Sequence, residues 1–259
     1  MSALDRSTVA TLAGLRPAPP LGAARTALLV VDMQRDFLEP GAPVATVGGL
    51  ALVPRINRLT RAARRAGVPV IFTHERHRAD LSDFGIELEY ERVHCLEGSP
   101  GAELAAGLDV DPRDYHIMSK RRYDAFQGTD LQELLRSLGI GMLVVTGVCT
   151  DVCVSATVQR ARSLDYRVFL VRDGVAATSR ARHEAALRCL GHVFARLTTT
   201  SAVVAAFRSS VKGDTACPDP SDPALTPPSR SSWRRPSSGW PRATAAPGSS
   251  TTSRRRRRS

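Results

Sequence analysis

Apolar and polar positions along residues 24–212 follow a pattern that predicts strands and helices in turn. Short apolar runs rich in β-branched residues predict six strands, at residues 27–31, 68–72, 115–118, 142–146, 167–171 and 192–197. Amphipathic segments predict helices at residues 52–67, 129–139, 151–163, 179–191 and 200–209. Buried strands that alternate with helices form parallel sheets covered on both faces. The pattern therefore predicts the α/β class, as a doubly wound α/β/α sandwich with a mostly parallel, six-stranded sheet.

Composition divides the chain into three parts. Residues 1–23 form an N-terminal extension, residues 24–212 carry the predicted strands and helices, and residues 213–259 form a tail dense in Pro, Ser and Arg. The tail lacks apolar periodicity, so we expect it to be disordered. It contains nine Arg and three Asp, and thus supplies +6 of the net charge of +11. The basic character that would suggest a nucleic-acid partner is mostly a property of the tail.

Cysteine content and the length of the apolar runs restrict the cellular compartment. The five cysteines are odd in number and follow no disulfide-framework spacing, which favours reduced thiols in a cytoplasm. No apolar run approaches the roughly 18 residues of a membrane span, and the first residues lack the basic start and apolar stretch of a signal peptide. We therefore expect a cytoplasmic protein with no membrane partner.

Chemically active residues stand where the predicted strands end. Asp32 follows the first strand, the third leads to Lys120, and the fourth runs into the segment GVCTDVC, which holds Cys149 and Cys153. Ligands of open parallel sheets bind beyond the carboxyl ends of the strands. An acid, a base and a thiol are thus predicted at one edge of the sheet.

Cys153 falls in the first turn of a predicted helix, which Thr150 or Asp151 would cap. Unpaired N–H groups and partial positive charge at a helix start favour a thiolate, the nucleophilic form, and Lys120 would favour it further. Asp32 would accept the thiol proton and return it to a leaving group. Backbone N–H groups of the same turn would form an oxyanion hole. Amide carbonyls are the natural targets of such a site.

Three segments resemble the signature segments of the isochorismatase-like cysteine hydrolases: ALLVVDMQRDF, SKRRYDAFQGTDL and VVTGVCTDVCVSAT. The resemblance covers about residues 24–208 and implies a catalytic triad of Asp32, Lys120 and Cys153. It also implies a cis peptide bond before Cys149, with the N–H groups of Cys149 and Cys153 as the oxyanion hole. The implied reaction cleaves a C–N amide or carbamoyl bond of a small molecule through an acyl thioester. Members usually form dimers or tetramers, so we expect a homo-oligomer.

The sequence differs from two branches of this family, and these differences narrow the class of substrate. The nicotinamidases of this family bind zinc through an Asp-x-His motif, which is absent here, where the corresponding region contains His74, Glu75 and His77. We predict no metal and no cofactor, although these three residues could in principle bind a cation. The true isochorismatases lack a cysteine nucleophile, so Cys153 argues against that branch.

Two amidase branches remain as alternatives. Amidases of ureidoacrylate, biuret and N-carbamoyl compounds carry a lysine followed by Arg-Tyr-x-x-Phe, which Lys120, Arg122, Tyr123 and Phe126 match. The other branch, the streptothricin hydrolases, opens a cyclic amide of a cationic antibiotic. That alternative would use an acidic cluster, formed by Asp80, Asp83, Glu87, Glu89 and Glu91, toward a cationic substrate.

The substrate pocket is predicted from residues near the triad in the chain. Phe37, Tyr123 and Phe126 would supply apolar walls, and His74 and Arg122 would supply polar groups.

Two hypotheses come from other classes. One is a non-catalytic protein on this fold, which the intact triad argues against. The other is a nucleic-acid binder that uses Arg254–Arg258, Arg234 and Arg235, with Trp233 and Trp240 stacking on bases. We expect a small-molecule amide, and not nucleic acid, as the partner.

Overall fold

The computed structural model describes residues 19–213. Six strands run in chain order: β1 (Thr26–Val31), β2 (Val70–Glu75), β3 (Tyr115–Lys120), β4 (Met142–Val148), β5 (Arg167–Ala176) and β6 (Arg196–Thr198). The α-helices are α1 (Arg35–Leu38), α2 (Val53–Arg65), α3 (Leu131–Ser137), α4 (Cys153–Ser163), α5 (Arg180–Val193) and α6 (Thr200–Gly213). Short 3-10 helices occupy Gly49–Leu52, Gly85–Glu89 and Pro100–Ala102.

The six strands form one sheet in the order β3-β2-β1-β4-β5-β6, and every neighbouring pair is parallel. From β1 the chain adds β2 and β3 on one side of the sheet. It then returns to β1 and adds β4, β5 and β6 on the other side, so the strand order reverses between β1 and β4. The predicted fold class is confirmed. In sheets of this topology the crevice for a ligand opens beside the central strands, at their carboxyl ends.

Both faces of the sheet are covered, as the continuous apolar runs predict. In β1, Leu28 and Val30 face one core, which includes side chains of α2 and α6. Leu29 and Val31 face the other core, which includes side chains of α3, α4 and α5. Successive side chains of a strand point to opposite faces, so a strand buried on both sides has no polar alternation.

Prediction and structure differ mainly at the last strand. The apolar run predicts a strand at residues 192–197, but helix α5 continues through Val193 and β6 spans only Arg196–Thr198. Phe194 and Ala195 pack against the core from the turn that follows the helix. A short apolar run therefore served as the end of a helix, which periodicity alone cannot separate from a strand.

Gly147 fixes the path of the chain from β4 into the functional loop. It pairs with Val31 across the sheet and has a φ of +111°. A Cβ atom here would overlap the carbonyl oxygen of Val31 and lie 2.6 Å from its nitrogen. Only glycine allows this close approach of two backbones.

Among residues 19–213, no helix is both long enough and apolar enough to cross a membrane. The predicted tail beyond Gly213 and residues 1–18 of the predicted extension lie outside the described residues.

Candidate active site

Four chemically active side chains converge at the carboxyl end of the sheet. Asp32 directly follows β1, Glu75 is the last residue of β2, Lys120 is the last residue of β3, and Cys153 is the first residue of α4. Glu75 and Lys120 are register partners across β2 and β3, next to an irregularity in the pairing after Thr73. Together Asp32, Glu75, Lys120 and Cys153 are called the lysine cluster below.

Lys120 lies at the centre of this cluster. Its Nζ is 2.7 Å from Asp32 Oδ2, 2.8 Å from Glu75 Oε2 and 3.7 Å from Cys153 Sγ. Burial alone would lower the pKa of Lys120, but the carboxylates of Asp32 and Glu75 raise the pKa well above its usual value. The ammonium therefore stays charged at neutral pH and holds the two carboxylates together.

Asp32 is fixed by its neighbour on β2. The Asp32 N–H donates to Thr73 Oγ1 at 3.1 Å, and the Thr73 hydroxyl donates to Asp32 Oδ1 at 2.5 Å. The residue has a positive φ of 47°, which turns the chain sharply where β1 ends. Burial raises the pKa of the Asp32 carboxyl, Lys120 opposes this, and Glu75 adds to it.

Cys153 is more firmly protonated than the sequence led us to expect. Burial raises the pKa of its thiol well above the usual value; Lys120 lowers this pKa, whereas Glu75 and Asp32 raise it. The thiol donates toward Glu75 Oε2 at 3.5 Å. Burial and the two carboxylates thus raise the pKa of the Cys153 thiol more than the Lys120 ammonium lowers it, a shift opposite to the one predicted from the sequence.

The predicted cap of α4 is also wrong. The N-cap position belongs to Val152, and no side chain caps the helix. Thr150 instead points its Oγ1 at His183 Nδ1, 3.0 Å away.

Backbone groups around Cys149 define the loop that carries Cys153. The Val148–Cys149 peptide bond is cis. The N–H groups of Thr150, Val152 and Val154 donate to backbone carbonyls, at 2.8–3.1 Å. The N–H groups of Cys149 and Cys153 are the pair that the family resemblance assigns to an oxyanion hole.

A cavity of about 480 Å³ opens above Cys153. Its wall includes Phe37 and Tyr123, which the sequence analysis placed there, and also Glu75, Cys149 and Cys153. Further lining comes from the segment Pro43–Ala45, the segment Tyr90–Arg92, Asp151, Val152, Thr178 and Arg182.

Three predicted pocket residues lie elsewhere. His74 points away from the cluster and pairs its Nε2 with His116 Nδ1 at 2.9 Å, where burial lowers its pKa to about 4. Arg122 donates to the carbonyl oxygen of Asp83 at 2.6 Å. Phe126 packs in the core beside α3 and α4. The His74 assignment fails because neighbouring residues of a strand face opposite sides, so His74 and Glu75 cannot share a site.

A second buried group adjoins the lysine cluster. Glu75, His77, Glu87 and His94, called the His–Glu cluster below, each place a potential ligand atom within 4.8 Å of the others. Glu75 Oε1 is 3.5 Å from His77 Nε2, and Glu87 Oε1 is 3.6 Å from His94 Nε2. These four atoms are buried and have no hydrogen-bond partner among the described residues.

The surroundings of the His–Glu cluster suit a divalent cation. His94 donates from Nδ1 to the carbonyl oxygen of Arg92 at 2.7 Å, which leaves the Nε2 lone pair free for a metal. Asp83 Oδ1 lies 3.4 Å from His77 Nδ1, so the other nitrogen again faces the cluster. Ligand atoms of a tetrahedral zinc site are about 3.4 Å apart, given Zn–N and Zn–O distances of roughly 2.1 Å. Two of the separations within the His–Glu cluster, 3.5 and 3.6 Å, are close to this spacing, and all four residues place a ligand atom within 4.8 Å of the others.

The structure thus changes the metal-ligand set that the sequence suggested. It keeps Glu75 and His77, excludes His74, and adds Glu87 and His94. The sequence analysis does not place Glu75 beside Lys120, because it predicts that β2 ends at residue 72. The strand continues to Glu75. With that end known, the position of ligand sites at the carboxyl ends of parallel strands would have indicated Glu75. Glu87 and His94 lie in an irregular region with no periodic signal.

Sequence comparison identifies the family. The model of the isochorismatase domain matches residues 26–202. The chain belongs to the isochorismatase family. A probable inactive nicotinamidase of Arabidopsis thaliana is 38% identical over 166 residues, covering 62% of this chain and 85% of the relative. A ureidoacrylate amidohydrolase of Methylobacterium radiotolerans is 30% identical over 220 residues, covering 76% of this chain and 83% of the relative.

Solved structures of this family share the fold. A cysteine hydrolase from Pseudomonas syringae superposes with a TM-score of 0.69 at 28% identity, covering 75% of this chain and 99% of its own. A pyrazinamidase of Pyrococcus horikoshii in complex with zinc superposes with a TM-score of 0.62 at 29% identity, covering 68% of this chain and 99% of its own. The neighbours of this isochorismatase-family chain therefore include cysteine hydrolases and a zinc-bound amidase.

Proposed function

We propose that this protein is an amidohydrolase that cleaves the C–N bond of a small amide or carbamoyl compound, with Cys153 as the nucleophile. The observation that carries the proposal is the position of Cys153. Its Sγ lies at the start of α4, at the base of a cavity, 3.7 Å from the Lys120 ammonium, which in turn holds Asp32 at 2.7 Å. The ureidoacrylate amidohydrolase among its relatives supports an amide substrate.

The first half of the reaction forms a thioester. Asp32 accepts the thiol proton, and the Cys153 thiolate attacks the substrate carbonyl carbon to form a tetrahedral oxyanion. The N–H groups of Cys149 and Cys153 stabilise this oxyanion, a contribution of about 3 kcal/mol per donor in comparable sites. The protonated Asp32 then gives its proton to the departing nitrogen, so the C–N bond breaks and an amine or ammonia leaves.

The second half returns the enzyme to its resting state. Asp32 takes a proton from water, and the resulting hydroxide attacks the thioester carbonyl. The C–S bond breaks, the acid product leaves, and Asp32 returns its proton to the Cys153 sulfur. Lys120 stays protonated throughout, because its carboxylate partners raise its pKa.

The raised pKa of the Cys153 thiol determines when the nucleophile forms. A thiol with a raised pKa holds its proton at rest, so Asp32 must accept that proton before the sulfur can attack the carbonyl carbon. The negative charge that Asp32 carries at rest then moves onto the substrate oxygen, and the Lys120 ammonium faces the same total charge in both states. This arrangement limits reaction with compounds that do not occupy the cavity.

The cavity suits a compact substrate with polar ends. Its volume of about 480 Å³ lies within the range of small-molecule sites. Phe37 and Tyr123 contribute aromatic wall, and Arg92 and Arg182 contribute cationic groups near the rim.

The alternative of a cationic antibiotic as substrate loses support. Of the acidic cluster predicted to face such a substrate, only Glu91 lines the cavity. Asp80 pairs with Arg78 and Asp83 pairs with Arg121, whereas Glu87 belongs to the His–Glu cluster. Most of these carboxylates are therefore engaged elsewhere.

A divalent cation would be held by the His–Glu cluster, beside the cavity wall formed by Glu75. When bound there, it would supply a Lewis acid and a coordination position for a donor atom of the substrate. Among the residues described here, Glu75 belongs both to this cluster and to the cavity lining.

The proposed function is tested with a panel of amides. Biuret, ureidoacrylate, an N-carbamoyl amino acid, maleamate, nicotinamide and streptothricin are each incubated with the wild type and with Cys153→Ala, and product release is measured. We expect turnover of at least one amide, lost in Cys153→Ala and retained in Cys189→Ala, which changes an exposed thiol. Turnover that persists in Cys153→Ala would remove Cys153 from the mechanism.

A further inference from the structure

The two carboxylate oxygens of Glu75 serve two different groups. Oε2 lies 2.8 Å from Lys120 Nζ and 3.5 Å from Cys153 Sγ. Oε1 lies 3.5 Å from His77 Nε2 and has no hydrogen-bond partner among the described residues. Glu75 is 1% exposed, so no bulk water separates the two sides. One carboxylate thus joins the lysine cluster to the His–Glu cluster.

Hydrogen bonds from Gln34 fix the backbone of Glu75 in a position from which its side chain contacts both the lysine cluster and the His–Glu cluster. Gln34 donates from Nε2 to the Glu75 carbonyl oxygen at 2.7 Å and accepts the Glu75 N–H on Oε1 at 2.8 Å. A second bond from Gln34 Nε2 to the Ala102 carbonyl, at 2.9 Å, anchors this clamp. With the backbone fixed on both sides, the side-chain length decides what the carboxylate contacts.

Two cations would then share one anion. A divalent ion in the His–Glu cluster draws Glu75 toward the imidazoles, whereas the Lys120 ammonium draws it toward Asp32 and Cys153. Like charges on opposite sides of a buried carboxylate repel each other, and water does not screen them there. Because coupling between sites is reciprocal, the ion weakens the contact between Lys120 and Glu75 by the same factor as that contact weakens binding of the ion.

We propose that Glu75 couples the catalytic lysine to a divalent-cation site formed by Glu75, His77, Glu87 and His94, so that occupancy of the cation site sets how firmly Lys120 is held by Glu75. The proposal deepens the proposed function, on which it rests for the role of Lys120. It makes Glu75 a positioning residue that acts on the triad through Lys120.

The test is a double-mutant cycle on zinc affinity. Isothermal titration with Zn²⁺ is run on the full chain carrying Cys153→Ala, so that this thiol cannot compete as a ligand and catalysis plays no part. The effect of Lys120→Met on zinc affinity is measured twice, once with Glu75 unchanged and once in the Glu75→Asp background. The aspartate keeps the charge and a metal ligand but shortens the reach by about 1.5 Å.

We expect Lys120→Met to tighten Zn²⁺ binding about tenfold when Glu75 is present, within the usual range for coupled sites. In the Glu75→Asp background the same change should alter the dissociation constant less than about threefold, since only the direct repulsion between the ammonium and the zinc ion remains. Glu87→Gln is the matched control, because Glu87 contacts His94 and not Lys120. It should weaken Zn²⁺ binding and leave the effect of Lys120→Met unchanged.

Removing Lys120 leaves two buried carboxylates without their counter-ion, and the variant could fail to fold. The double variant Lys120→Met, Asp32→Asn removes one charge of each sign. Its zinc affinity in the two Glu75 backgrounds gives the same comparison without a change in net charge. An equal effect of the lysine change in both Glu75 backgrounds, or no effect, overturns the proposal. So does a chain that binds no Zn²⁺. Neither result bears on whether Cys153 hydrolyses amides, which the panel measures separately.

Discussion

The Thr73 hydroxyl and Asp32 bind each other twice, through Thr73 Oγ1 to Asp32 Oδ1 at 2.5 Å and through the Asp32 N–H to Thr73 Oγ1 at 3.1 Å. This reciprocal contact leaves Asp32 Oδ2 for Lys120. It joins the ends of β1 and β2 at the base of the site. The general acid–base group is therefore oriented by a neutral hydroxyl as well as by an ammonium.

Thr73→Val should slow catalysis more than it weakens substrate binding. The change keeps the side-chain shape but leaves the Asp32 N–H and one carboxylate oxygen without their partner. We expect kcat to fall about 10- to 100-fold with KM changed less than about threefold, since general acid–base catalysis contributes roughly 10²–10⁴-fold. Steady-state kinetics on the amide identified by the panel give both constants. Thr73→Ser, which retains the hydroxyl, is the control, and an equal loss in both variants would contradict the assigned role of the hydroxyl.

Gly147→Ala should destabilise the fold rather than alter the chemistry alone. The added methyl group meets the backbone of Val31 on the adjacent strand, and the φ of +111° is unfavourable for alanine. We expect a loss of about 2–4 kcal/mol in the free energy of unfolding, the range for overpacking combined with backbone strain. Urea denaturation followed by circular dichroism measures it.

The matched control for Gly147→Ala is Gly128→Ala. Gly128 also has a positive φ, of 67°, but open space surrounds its would-be Cβ. Its substitution isolates the backbone contribution, about 1 kcal/mol. Equal effects at the two positions would show that the close approach of β1 and β4 is not what requires Gly147.

Arg64 should stabilise the fold at the opposite end of the sheet. Its guanidinium donates to Asp114 and to Asp109, and the Asp114 side chain is only 2% exposed. Arg64→Met leaves that carboxylate buried without its partner, and we expect a loss of about 2–4 kcal/mol in the free energy of unfolding.

The control for Arg64 is its neighbour Arg61. Arg61 pairs with Asp109 too, but its side chain is 56% exposed. Exposed ion pairs contribute little, so Arg61→Met should change the free energy of unfolding by less than about 1 kcal/mol. Urea denaturation of both variants makes the comparison, and equal losses would contradict the importance of burial.

Zinc should raise the melting temperature through the His–Glu cluster. A ligand that binds only the folded chain stabilises it by about 2.7 kcal/mol at a hundredfold excess over the dissociation constant. We expect a rise of several degrees in calorimetry on the chelator-treated protein, absent in His94→Asn. His183→Asn, which changes a histidine outside the cluster, should retain the rise.

Much of this architecture follows from local sequence because the apolar runs that form the strands are continuous. The same runs located Asp32 and Lys120, since each stands where a run ends, and the loop before α4 located Cys153. Glu75 escaped because the polar pair Thr73 and His74 appeared to close β2 early. Both are buried in the structure, Thr73 by its contact with Asp32 and His74 by its contact with His116.

Other features of the site arise only from packing. The raised pKa of the Cys153 thiol depends on burial and on Glu75, neither of which the motif shows. His94 reaches the site from a loop that the Asp36 carboxylate fixes by accepting the Cys95 N–H at 2.7 Å. Such contacts between distant segments leave no periodic trace in the chain.

The central claim is that Cys153 forms a covalent acyl intermediate. Its most direct test is acid quenching of the enzyme during turnover of the amide found in the panel, followed by intact-protein and peptide mass spectrometry. We predict a mass increase equal to the acyl portion of the substrate, on the peptide that contains Cys153, and its absence in Cys153→Ala. Turnover by the wild type without any adduct, together with full activity of Cys153→Ala, would contradict the account.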